Sequence, residues 1–164
     1  MISAILATTP SGGIGNRGTL PWPNHSGDMA WFKRHTSGHV VVMGRNTWDD
    51  HSMPNPLPGR MNYVISSRPL SQPYASTQQI HGDINEQLES IDHSHPDKEI
   101  FVIGGKQIYE QAHSSIQRIY LTRMSGNYFA DTRLNLDSFL REFRIYSVRP
   151  GDGCTYEIWN RVFF

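Results

Sequence analysis

Short apolar runs, broken by polar stretches rich in glycine and proline, set the pattern of this chain. Met1 to Thr8, His39 to Met43 (HVVVM), Met61 to Ser66 (MNYVIS), Ile100 to Ile103 and Arg118 to Arg123 are predicted as strands. HVVVM in particular, β-branched and without alternation, fits a strand covered on both faces. Gln78 to His81 is a weaker strand candidate. Tyr146 to Val148 and Tyr156 to Phe163 end the chain as strands, the latter alternating as an antiparallel edge strand does. Ile84 to Ile91 carries apolar residues at helical spacing, and further helices are predicted from Gly44 to Trp48 and from Lys106 to Gln111. Pro10 to Gly18 and Tyr128 to Asp137 are predicted as loops. Strands alternating with short helices imply an α/β fold, a mainly parallel sheet with helices on both faces, in one domain spanning 1–164. Ligands of such sheets sit beyond the carboxyl ends of the strands, so the loops after Thr8, Met43, Ser66, Ile103 and Arg123 are where chemistry is sought.

The first of these loops leads into Leu20 to Thr36 (LPWPNHSGDMAWFKRHT). Pro21 and Pro23 forbid a helix before about Asn24, and Asn24 or Ser26 can cap the one that follows. On that helix Asp28, Met29 and Phe32 share a face by their spacing. Two readings stand: an acid in an apolar pocket under a closing loop, or an acidic first turn on an ordinary helix.

Charge and cysteine content narrow the classes. The chain has 15 Lys plus Arg against 15 Asp plus Glu, so no basic field is available for nucleic acid or a membrane surface. The single cysteine, Cys154, excludes an intramolecular disulfide and suits a reducing compartment. The apolar N-terminus is short and lacks a basic flank, so neither a signal peptide nor a membrane span is expected. A cytoplasmic chain is the expectation.

Gly13-Ile14-Gly15-Asn16-Arg17-Gly18 matches the dinucleotide fingerprint in letters only. Leu20-Pro21-Trp22-Pro23 follows where that motif needs a helix, and the second strand ends in Gly44-Arg45 rather than an acid. Better anion sites lie at three other strand ends. Gly44-Arg45-Asn46-Thr47 and Ile103-Gly104-Gly105-Lys106-Gln107 each combine glycine with a cation, and each alone is equally a tight turn. Ser66-Ser67-Arg68 adds hydroxyls and a guanidinium, which with Arg45 suit an extra phosphate such as the 2′-phosphate of NADPH. Asp92 to Asp97 (DHSHPD) has metal-like letters but reads as a solvated loop, and no metal site is expected.

MISAILA, LPWPNHSGDMAWFKRHT, VVVMGRNTW, PLPGRMNYVISS, IFVIGGKQIYE, IYLTR and the Asp131-Thr132 pair occur in this order. Over essentially its whole length the chain resembles the monomeric, chromosomal-type dihydrofolate reductase family. The resemblance implies an eight-stranded mixed sheet flanked by four helices. It also implies NADPH-dependent reduction of 7,8-dihydrofolate to tetrahydrofolate, with hydride arriving at C6 and a proton at N5. By matched position, Asp28 is the acid that binds the pterin edge, Thr122 its support and Trp22 the residue ordering water. Leu20 takes the lid position beside the nicotinamide. Ile5, Ala7, Met29, Phe32 and Leu57 line the pterin and aminobenzoyl pocket, and Arg60 holds the glutamate α-carboxylate. NADPH is expected on Ala7, Ile14, Gly44, Arg45, Asn46, Thr47, Ser66, Ser67, Arg68, Ile103, Gly104, Gly105, Lys106, Gln107, Ile108 and Tyr109, across a cis Gly-Gly bond. Three departures stand out: the Trp22 to Asp28 span is one residue longer than in usual bacterial members, Gln107 replaces a common arginine, and Ala130 replaces a common glycine. Alternatives are a related pterin or pyrimidine reductase, or a catalytically silent pterin- or nucleotide-binding module.

Overall fold

The computed structural model describes residues 1–70 and 76–163. Its strands are β1 (Ile2–Thr8), β2 (Gly13–Gly15), β3 (Val40–Gly44), β4 (Met61–Ile65), β5 (Thr77–Ile80), β6 (Ile100–Val102), β7 (Arg118–Met124), β8 (Thr132–Arg133), β9 (Phe143–Gly151) and β10 (Cys154–Arg161). The helices are α1 (Ser26–Thr36), α2 (Arg45–Trp48), α3 (Ile84–Ser94), α4 (Lys106–Ala112) and α5 (Leu136–Leu140). Eight strands form one sheet in the order β5-β4-β3-β6-β1-β7-β10-β9. It is parallel from β5 to β7, and β10 and β9 pair antiparallel at the far side.

Alternate residues of the central strands enter two different cores, which is why their sequences carry unbroken apolar runs. Ala4, Val40, Val42, Ile100 and Val102 face the core closed by α3, α4 and α5. Ile5, Val41, Met43, Phe101 and Ile103 face the other, with Trp31 and Phe32 of α1 packed on it. That second face carries the candidate site, because Ala7 pairs with Thr122 and Thr122 with Tyr156 across the sheet beside α1.

Four sequence expectations need correction. The Pro10 to Gly18 stretch is not simply a loop, since β2 pairs antiparallel with β8. Tyr128 to Asp137 likewise holds β8 and the start of α5, whose Asn135 side chain caps the helix at the Ser138 amide, 3.1 Å away. Among the described residues this makes a fifth α-helix where four were expected. β10 is antiparallel as expected but lies inside the sheet, and β9 forms the edge. α3 runs on to Ser94, into the stretch expected to be loop.

Glu157 on β10 fixes the antiparallel end. Arg123 donates to it from Nε and Nη2 at 2.9 and 3.1 Å, and Thr155 and Trp159 donate at 3.1 and 2.9 Å. Burial pushes this carboxyl up, but the Arg123 fork and the other donors outweigh it and hold the group below the usual range. A depressed folded-state value means the stabilisation is present above the unfolded value and lost as pH falls through the folded one. Glu157→Ala is expected to cost about 2–3 kcal/mol in urea unfolding at pH 7, from the unpaired Arg123 and the lost bonds. The difference from wild type should shrink on acidification.

Candidate active site

The loop from β1 to α1 is held from below by the 130–134 segment. Arg17 N donates to Asp131 Oδ2 at 2.8 Å, Asp131 N donates to Gly15 O at 3.0 Å, and Leu134 N to Gly12 O at 2.8 Å. The Arg17 amide and the Thr132 hydroxyl hold the Asp131 carboxyl below its ordinary value. Above this brace Leu20 is 46 % exposed, whereas Trp22 is buried, packing on Met124 and Cys154 and edge-on to Tyr128 at 6.3 Å.

α1 begins at neither expected cap. His25 is the N-cap, and its Nδ1 accepts from the Asp28 amide at 3.0 Å. Asp28 is half-buried in the first turn. Burial raises its carboxyl above the ordinary carboxylate value, and the nearby Thr122 hydroxyl only partly offsets this. Thr122 Oγ1 is itself buried and closes no hydrogen bond of good geometry, so its effect on Asp28 is a weak approach rather than a full bond. The acid does not lie under Met29, which is 58 % exposed, while Phe32 packs on the α1-side core.

Two aromatic residues that sequence reasoning missed complete this wall. Trp31 stacks on Tyr156 with ring centroids 4.7 Å apart, and its buried Nε1 has no protein partner. The Tyr156 hydroxyl abuts Gly27, where a Cβ would come within 2.8 Å of it. Desolvation holds that phenol far above its ordinary value, so it stays protonated beside the acid. Trp31 was findable, because it stands three residues from Asp28 on the same helix. Tyr156 needed the β7–β10 register, which the sequence does not carry.

Beyond this wall, Leu57 and Arg60 are fixed by the buried Asn62, a third residue not foreseen. Its Oδ1 accepts from Leu57 N at 2.9 Å, and its Nδ2 donates to Leu57 O and Arg60 O at 3.1 and 3.0 Å. Arg60 is 8 % exposed; Nε donates to Pro58 O at 2.9 Å and Nη1 to Thr36 Oγ1 at 3.0 Å. No carboxylate among the described residues pairs with it. Burial lowers the guanidinium from its ordinary value, though an arginine remains charged there.

On the other side of Ile5 the sheet brings the three expected strand ends together, since β4, β3 and β6 are neighbours. Gly44 N donates to Gly104 O at 2.8 Å, and a Cβ at Gly44 would meet Ile108 Cγ1 at 2.8 Å. The Gly104–Gly105 bond is cis, as expected, and a Cβ on Gly105 would find only Thr47 Oγ1, at 3.9 Å. Of these glycines only Gly105 faces open space; Gly44 is glycine because Ile108 fills the place of a side chain, and Gly104 because a Cβ there would meet the Tyr109 ring at 3.2 Å. Tyr109 is buried and donates to Ile5 O at 2.9 Å, so its hydroxyl ties α4 to β1. Ile103 is buried; Asn46, Lys106 and Gln107 are exposed. Arg45 is knitted to the third end, with Nη1 3.3 Å from Ser66 Oγ, Arg68 O and Pro69 O and Nε 3.1 Å from Asp49. Ser66 spends its hydroxyl on Arg68 O at 2.8 Å, leaving Ser67 and Arg68 exposed beside it. Ile14, on β2, packs at the margin of the opposite core.

A family model described as dihydrofolate reductase matches residues 1–152. The chain belongs to the dihydrofolate reductase family. It is 32 % identical over 163 residues to dihydrofolate reductase type 8 of Escherichia coli, covering 98 % of this chain and 95 % of that one. Dihydrofolate reductase of Mycobacterium tuberculosis is 41 % identical over 115 residues, covering 68 % and 64 %. Among solved structures, dihydrofolate reductase of Enterococcus faecalis, complexed with NADP(H) and RAB-propyl, superposes with a TM-score of 0.82. That match has 26 % identity and covers 98 % of this chain and 96 % of the other. The activity expected from the sequence, reduction of dihydrofolate, is the one this family is named for. No helix among the described residues is long and apolar enough to cross a membrane.

Proposed function

We propose that the cleft between α1 and the carboxyl ends of β1, β3, β4, β6 and β7 binds 7,8-dihydrofolate and NADPH and reduces the former to tetrahydrofolate. The observation that carries this reading is the pairing of a desolvated acid, Asp28, with a buried arginine, Arg60, that has no acidic partner among the described residues. A pterin edge offers two parallel donors, which a carboxylate accepts as a fork. A glutamate tail offers the carboxylate that Arg60 lacks. Ile5, Phe32 and Leu57, which share one core cluster, with Ala7 and the exposed Met29, would line the pocket for the rest of the substrate.

NADPH supplies the hydride when bound. The residues present suit it: bare backbone at Gly105, Thr47 beside it, and Arg45 with Ser67 and Arg68 at the third strand end for the 2′-phosphate. Asp28 orients the pterin and keeps a proton within reach, because its raised affinity for that proton brings it closer to neutral pH. Trp22 and Tyr128 close the wall beneath the Leu20 loop and limit water at the acid. We further propose that the chain acts as one domain over 1–164, as a monomer, in the cytoplasm. The single continuous eight-stranded sheet and the balanced charge support this.

The direct test is NADPH oxidation with and without dihydrofolate, with tetrahydrofolate identified as product. Oxidation that ignores dihydrofolate would refute the reading. Cofactor choice is a separate expectation. Arg45→Leu should weaken NADPH binding by about 1.5–3 kcal/mol, a lost charged hydrogen bond, and NADH binding far less. Equal losses in a fluorescence titration of both cofactors would confine Arg45 to holding the 66–69 loop.

A further inference from the structure

His25 engages both ring nitrogens at the base of the acid. Nδ1 accepts from the amide of Asp28 itself at 3.0 Å, and Nε2 lies 2.6 Å from Asp152 O in the turn between β9 and β10. A carbonyl only accepts, so Nε2 carries the proton and Nδ1 is bare; the ring is the neutral Nε2–H tautomer. The imidazole is also wedged in place. A Cβ at Gly27 would fall 3.2 Å from His25 Cε1 as well as 2.8 Å from the Tyr156 hydroxyl, so the backbone passes close beside both rings. A serine or asparagine at the cap would satisfy the same amide; in histidine the Nε2 bond to Asp152 fixes the tautomer that leaves Nδ1 free to do so.

We propose that His25 is a positioning residue for Asp28: it caps the amide of the acid's own residue through the Nδ1 that its Nε2 bond to the β9–β10 turn leaves bare, and so sets where the carboxylate stands against Thr122. The inference rests on the dihydrofolate reductase reading. In single-turnover assays at saturating NADPH and dihydrofolate, His25→Ala should slow hydride transfer about tenfold through misplacement of the acid, with NADPH affinity changed by less than about twofold. His25→Asn keeps a capping oxygen and should recover the rate to within about threefold of wild type. A wild-type rate for His25→Ala, or an asparagine variant as slow as the alanine one, overturns the proposal. Nitrogen-15 spectra of the imidazole in the unmutated chain give a check that no variant's folding can spoil. A bare Nδ1 coupled to the Asp28 amide proton is expected, and an Nδ1–H tautomer overturns the assignment. Failure of the wild type to reduce dihydrofolate would instead sink the functional reading, whatever the imidazole shows.

Discussion

Asp28→Asn is expected to slow hydride transfer near neutral pH by about 10²–10⁴-fold, the range for a lost acid–base group, while the chain still folds and binds NADPH. The imine of dihydrofolate accepts hydride poorly until its nitrogen is protonated. Asparagine keeps the size of the acid but loses the ionisable group and one acceptor of the fork. The variant's rate should recover as pH falls, because solvent then protonates the substrate. The wild-type rate should decline above an apparent pKa that belongs to acid, substrate and water together. Single-turnover measurement with deuterated NADPH isolates this step. Stability should move the opposite way. Burial raises Asp28 in the folded state, so the folded chain holds that proton more tightly, and the ionised carboxylate destabilises the fold above the ordinary value of 3.8. Asp28→Asn should therefore be more stable than wild type at pH 7, with the gap closing on acidification through that window. Wild-type kinetics with an unchanged pH profile would reduce Asp28 to a solvated acid in a helix's first turn.

Arg60→Leu should weaken dihydrofolate binding by about 2–5 kcal/mol, the cost of truncating one partner of a desolvated charge pair. Leucine fits the apolar surroundings of Leu57 and Phe32, over whose ring the guanidinium sits at 6.0 Å. The bonds to Thr36 and Pro58 are lost as well, so a thermal melt must accompany the titration. A dihydropterin lacking the glutamate should bind wild type and variant alike, since it never reaches Arg60. Arg60→Lys should recover only part of the loss, because an ammonium lacks the planar fork. If the truncated ligand also binds the variant poorly, Arg60 acts through Thr36 and Pro58 and its assignment to the tail fails.

The central strands were legible because covering a sheet on both faces demands apolar residues without gaps, as HVVVM and Ile100 to Ile103 show. The glycine-marked ends of β3 and β6 were legible for a related reason: Ile108 and Tyr109 pack so closely on Gly44 and Gly104 that a side chain there would collide. β8 and α5 were not, since a two-residue strand and a five-residue helix exist through their partners and carry no period of their own. β10 read as an edge because its alternation suits one, and nothing in the sequence of β9, itself legible as a strand, says that it pairs outside β10. In the site, Asp28 and Arg60 stood out as chemistry, whereas Asn62 and Tyr156 act through register, and His25 caps with a ring where serine or asparagine is usual.

The pairing of β2 with β8 also constrains the order in which this sequence can change. A Cβ at Gly13 would fall 2.6 Å from the Ala130 methyl and 2.7 Å from Thr9 Oγ1, so position 13 is closed to any side chain while those two remain. The Ala130 methyl fits only because residue 13 has none. A lineage can therefore hold alanine at 130 only while 13 is glycine, and it cannot diversify at 13 without first changing both Thr9 and Ala130. The contact works as a double lock: two side chains from separate segments each make the same position immutable, beneath the loop that leads from β1 to α1.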